Sequence, residues 1–171
     1  MVLRYLIFTA ALVASPPQPP LLFDNLGNHH HPISTKSPGV QRYFDQGVRL
    51  IYAFNHHEAL RDFQEAVRRD PQCLMCLWGI ALSFGPHINM ARDAEKEKLA
   101  SETIKQARAL LPRASAREAA YVSALARRYA EPPSSNPSAL DLAYAAFVAL
   151  FAICLIEAVG RAVQRRLKVS R

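Results

Sequence analysis

Two cysteines, Cys73 and Cys76, bracket a short apolar pair in the stretch "RRDPQCLMCLWGIAL". Thiols at this spacing lie one turn apart at the start of a helix, where the peptide dipoles favour the thiolate. Such a pair serves a disulfide, thiol–disulfide redox chemistry, or half of a metal site. No βαβ pattern surrounds it, which argues against a thioredoxin-like protein, and Leu77 stands where c-type haem attachment needs a histidine. A zinc site would need a second Cys or His pair at a suitable interval, and His56 with His57 are the weak candidates that remain. The expectation is a structural pair, either buried or joined as a local disulfide if the chain is exported. Thiol redox chemistry or metal handling at Cys73 and Cys76 is the alternative. Cys154 sits in an apolar run and is expected to be inert.

Histidine offers two further groups. His29, His30 and His31 are adjacent in a proline-rich arm and read as a surface loop rather than a ligand set, while His56-His57-Glu58 opens a helix. No glycine-rich phosphate loop, nucleophile elbow or spaced carboxylate pair accompanies them. The chain is therefore expected to be no enzyme and to need no cofactor.

The charge has to be located before it is interpreted. The 171 residues carry 21 basic and 14 acidic side chains, a formal +7. Arg4, Arg161, Arg165, Arg166, Lys168 and Arg171 lie in the leader and the tail, leaving 15 basic residues against 14 acidic ones in the body. A near-neutral body lacks the basic face that phosphate neutralisation requires, so nucleic acid is not an expected partner.

The elements that position these residues are helical. Half of the chain is hydrophobic, it holds only six glycines, and Ala, Leu and Arg abound. Ser37-Pro38 starts a helix, and apolar residues at Val40, Tyr43, Phe44, Val48, Ile51 and Tyr52 keep helical spacing to about Phe54. Asn55 ends it and caps a second helix from His56 to Arg69, which Asp70-Pro71 stops. So short a connection folds the two back as an antiparallel hairpin. A third helix is expected from Gln72 to Phe84, a fourth from Asp93 to Leu111, and a fifth from a Ser115–Glu118 capping box to about Ala130. Asn136-Pro137 opens a last helical stretch.

Small residues recur where the first two helices must cross closely. Gly47, Ala59, Phe63, Ala66 and Pro71 follow one another at steps of twelve, four, three and five. Small contacts with one aromatic filling the space beside them suit a close crossing. This pattern resembles the tetratricopeptide repeat, a helix hairpin of about 34 residues with small, small, aromatic, small and proline at these steps. A second unit is visible in Ala100, Ile104, Ala107 and Pro112, with Ala81 thirty-four residues after Gly47 and a seven-residue insertion in its hairpin. A degenerate third unit begins at Ser115. The longer string from the histidines to "GPHIN" also resembles a group of exported bacterial repeat proteins, which implies a scaffold more than a reaction.

The resemblance implies an all-α fold of antiparallel helix hairpins stacked as a short α-solenoid. It also implies a groove that binds protein or peptide segments through the first helix of each hairpin. Gln41, Phe44, Val48, Ile51 and Tyr52 would line it in the first unit, and Met75, Trp78 and Leu82 in the second. The Lys and Asn carboxylate clamp of some family members is absent, and an apolar aromatic groove suits an apolar or helical partner. The alternative is that the N-terminal arm or the last helix covers these residues.

The ends depart from the repeat. Residues 1–15 fit the apolar core of an export signal, 16–36 form a Pro- and His-rich arm, 37–130 the repeat body and 131–138 a loop. Residues 139–171 are expected to form an apolar helix with a basic tail. Leu142 to Ile156 carries no charge, and extension to Gly160 gives nineteen residues with Glu157 inside, roughly 28 Å of helix. This stretch reads as a membrane anchor with a cytoplasmic tail, a buried capping helix, or the non-native end of a truncated array.

Overall fold

The structure is a computed structural model that describes residues 18–87, 90–129, 136–146 and 148–149. Among these residues the chain is all-α, with an isolated bridge between His87 and Met90 and no strand. The helices are α1 (Pro38–Tyr52), α2 (His56–Arg69), α3 (Leu74–Phe84), α4 (Ala94–Ala109) and α5 (Ala116–Ala126), with a single 3-10 turn at Leu111–Arg113. Residues 137–146 form a further helix.

Local chemistry sets the boundaries. The Ser37 hydroxyl accepts from the amide of Val40, and Pro38 fills the first turn, where its missing donor costs nothing. The Asn55 side chain caps α2 by accepting from Glu58 N–H. Phe54, at φ 59°, takes the left-handed conformation that lets so short a turn close. Cys73 is itself the cap of α3, its sulfur accepting from Cys76 N–H at 3.2 Å, so the helix begins after it and not at Gln72. In α4 the helix stops at Ala109, short of the expected Leu111, because the residues around Pro112 turn more tightly. The Ser115–Glu118 capping box is present, and α5 ends at Ala126. The last helix begins at residue 137, where Asn136-Pro137 places it, so the loop read at 131–138 gives up its last two residues to a first turn that suits proline.

From α1 to α5 each helix packs on the next in sequence, and α3 also meets α1 and α5. The core centres on Phe63 of α2, which has no exposed surface. Its ring lies between two glycines. A Cβ on Gly47 of α1 would stand 2.6 Å from Phe63 Cε1, and one on Gly79 of α3 would stand 2.6 Å from Phe63 Cδ1. Three helices therefore meet around one ring because two of them present bare backbone to it. Ala59, Ala66, Ala81, Ala100, Ile104 and Ala107 are all buried, which matches the small-residue spacing. The α3–α4 connection, residues 85–93, is longer than the three-residue α1–α2 turn, in keeping with the insertion read there.

The helix of residues 137–146 is tied to the body by Asp141. This carboxylate accepts from Arg128 Nε at 2.9 Å and also pairs with Arg92. Among the described residues no helix is long and apolar enough to cross a membrane. The candidate signal at 1–15, residues 131–135 and most of Leu142–Gly160 lie outside the described residues.

Candidate functional site

Residues 18–36 are not a detached linker. They pass along both flanks of α1 and turn back at residues 24–27, where Gly27 adopts φ 77°. On the outward pass Tyr43 Oη donates to Pro20 O at 3.2 Å, Gln46 Nε2 donates to Leu21 O at 2.8 Å, and Phe23 N–H donates to Gln46 Oε1 at 2.7 Å. On the return pass Arg49 donates from Nε and Nη2 to His29 O, and His31 N–H donates to Asp45 Oδ1 at 3.0 Å. Gln41 completes the pass, accepting from Ile33 N–H and donating to His31 O. Five α1 side chains thus read the backbone of an extended chain, and Leu22, Leu26 and Ile33 pack partly buried on the core.

The arm then reaches α5. Glu118 accepts from Ser34 N–H at 2.7 Å and Ser34 Oγ at 2.6 Å, as well as from Ser115 of its own cap. Burial pushes this carboxyl upward, but the four donors from Ser34 and Ser115 outweigh it and hold its pKa below the ordinary value.

Between the return pass, α1, α3, α5 and the last helix lies a cavity of about 490 Å³. It is lined by Phe44, Val48, Ile51, Tyr52, Trp78 and Leu82, six of the eight residues expected to form a groove. The other two are placed elsewhere. Met75 is packed in the core, and Gln41 faces the arm instead of the cavity. The arm, through His29 and His31, and the last helix, through Tyr144, line the same cavity as these six residues.

Aromatic rings run from the core to this cavity. Phe63, Phe44, His31, Tyr121 and Trp78 succeed one another with centroids 5.3–6.0 Å apart, in tilted and edge-to-face pairs. Burial, helped by Arg117 and His29, lowers the pKa of His31, so its imidazole is neutral at neutral pH. Its buried Nε2 has no hydrogen-bond partner. The site offers apolar area, ring faces and one unpaired imidazole nitrogen.

Sequence reasoning missed His31, Tyr121 and Tyr144 as cavity residues and Asp45, Gln46 and Glu118 as arm clamps. The available signal was Asp45-Gln46 on a helix face otherwise counted as apolar.

The thiol candidates form a disulfide between Cys73 and Cys76, and both residues are buried. His56 stacks on His87 at 3.9 Å, and the exposed His57 sits beside Glu58, so the weak metal candidates do not converge. Among the described residues no group of three or more His, Cys, Asp or Glu is arranged to hold a metal. His30 pairs with Asp45 at 2.7 Å. Cys73→Ser combined with Cys76→Ser is expected to lower stability by at most about 3 kcal/mol, because the loop closed is short, and to leave cavity binding intact. Denaturant titration with a binding assay checks this; lost binding at unchanged stability restores the redox or metal reading.

Comparisons with protein-family models, with curated proteins and with solved structures gave no match.

Proposed function

We propose that the chain is a non-catalytic protein-binding module of the tetratricopeptide-like kind. It holds an apolar segment of a partner in the cavity between α1, α3 and α5. The observation that carries this reading is the convergence of Phe44, Val48, Ile51, Tyr52, Trp78 and Leu82 on one cavity. Tyr52 at its edge is 78% exposed, an aromatic left in water where a partner would cover it. The clasp of α1 by the arm supports the same use, for it shows α1 side chains holding an extended chain by its backbone. The disulfide supports an oxidising compartment, hence export. Membrane attachment through Leu142–Gly160 stays part of the proposal on sequence grounds.

Trp78 is the only tryptophan of the chain, so its emission reports on the cavity directly. A partner retained by the full chain is expected to shift that emission and to bind Trp78→Ala about 30-fold more weakly, the loss of a central aromatic anchor. Equal retention by wild type and a folded Trp78→Ala variant overturns the reading.

A further inference from the structure

We propose that Asp62 is a proton-operated latch for the arm: the neutral acid lets residues 21–23 dock on α1, and its ionisation loosens them. The consequence for partner binding rests on the cavity being the binding site; the latch itself does not.

The amide of Gln46 joins the two. Its Oε1 accepts from Phe23 N–H, and its Nε2 donates both to Leu21 O and, at 3.2 Å, to Asp62 Oδ1. Both protons of that nitrogen are therefore committed, one to the arm and one to the acid. Gln46 is 2% exposed and Asp62 1%, and Asp62 Oδ2 has no hydrogen-bond partner. An ionised carboxylate here would hold a full charge on one bond from a neutral amide.

No cation compensates it closely. The charged side chains acting on Asp62 are Glu58 and Arg61 of its own helix, and these pair with each other at 2.9 Å. From α1 it meets the uncharged Gln46, and beyond Gln46 lies the backbone of the arm. Burial, the largest influence, raises the Asp62 pKa to about 7, with Glu58 adding to the rise while Gln46 and Arg61 oppose it. Water reaches the carboxylate by displacing the Gln46 amide, and that breaks both bonds to residues 21 and 23.

The sign follows from linkage. The docked arm goes with an acid of raised pKa and the lifted arm with a hydrated one near the ordinary value of 3.8. Docking of residues 21–23 is then strongest below about pH 4, weakens by up to about tenfold per pH unit as the acid ionises, and levels off above about pH 7. Residues 29 and 31 of the same arm wall the cavity, so a loosening that runs on past their own bonds to Arg49, Asp45 and Gln41 opens the site.

Hydrogen exchange of the Phe23 amide in the full chain tests this without any partner. Its protection factor, referred to Ile80 in α3 for global opening, is expected to fall at least tenfold between pH 4.5 and 7.5. In Asp62→Asn, whose side chain still accepts from Gln46, protection should stay within about twofold over that range. The Asp62 carboxyl resonance in unaltered protein supplies a check that needs no variant, and should titrate well above the ordinary range. Titration near pH 4, a flat Phe23 profile, or the same pH slope in Asp62→Asn overturns the latch. Failure of the cavity reading shows up separately, in the Trp78 experiment.

Discussion

Phe63→Ala is expected to cost about 3–5 kcal/mol, the range for deleting a fully buried aromatic ring whose surroundings cannot collapse. They cannot collapse because the walls of its slot are helix backbone at Gly47 and Gly79, which would have to move as rods. The converse change has the same origin. Gly47→Leu is expected to push α1 from α2 and cost on the order of 2–3 kcal/mol, since an added Cβ alone falls 2.6 Å from the ring. Gly79→Ala meets the ring from the other side and should be destabilising as well. Coupling makes the test sharp. In Phe63→Ala the slot is empty, so adding Gly47→Ala should cost little or recover stability, a departure from additivity of at least about 1 kcal/mol. Urea denaturation of the two single variants and the double variant measures it. Strict additivity, or a Gly47→Leu protein as stable as wild type, shows that Gly47 is not at the crossing.

This slot also shows how far the sequence could be read. Gly47, Ala59, Phe63 and Ala66 declare themselves by type and fixed spacing, because small residues on otherwise bulky helix faces are uncommon unless something packs there. Gly79 does not, because the repeat spacing points to Ala81, and only the placement of the Phe63 ring on both glycines reveals it. Helix starts were legible at Ser37, Asn55 and Ser115, where cap and first turn are neighbours in the chain.

The clasp of the arm was not legible. Its bonds join residues far apart in sequence, Ser34 to Glu118 above all, through backbone groups that every residue type offers. Pro- and His-rich composition gives an extended arm but not the side of α1 on which it lies. The cavity was legible on α1 and α3 through apolar period, and illegible on α5, where Tyr121 reads equally well as core.

Glu118→Gln is expected to lower stability at neutral pH by about 2–3 kcal/mol, a large effect for a change of one atom. Its Oε1 accepts from Ser34 N–H in the arm, and its Oε2 accepts from Ser34 Oγ and from Ser115 N–H and Oγ at the cap of α5, with distances of 2.6–3.1 Å. The residue is 3% exposed. An amide in its place removes the charge from a buried acceptor and turns an N–H₂ toward one set of these donors, so charge-assisted hydrogen bonds are lost. The pH dependence gives a second, independent reading. A carboxyl held below its ordinary pKa in the folded protein contributes stability above the unfolded value, 4.5 for glutamate, and loses it as pH falls through the depressed folded value. Wild type should therefore lose stability on acidification in that window by more than Glu118→Gln does, so the gap between them narrows toward low pH. Denaturant midpoints from pH 7 down to pH 3 decide the matter. A gap constant over that range would mean that the loss comes from packing alone, and a Glu118→Gln protein as stable as wild type at pH 7 would show that the arm does not dock on α5 through this carboxylate.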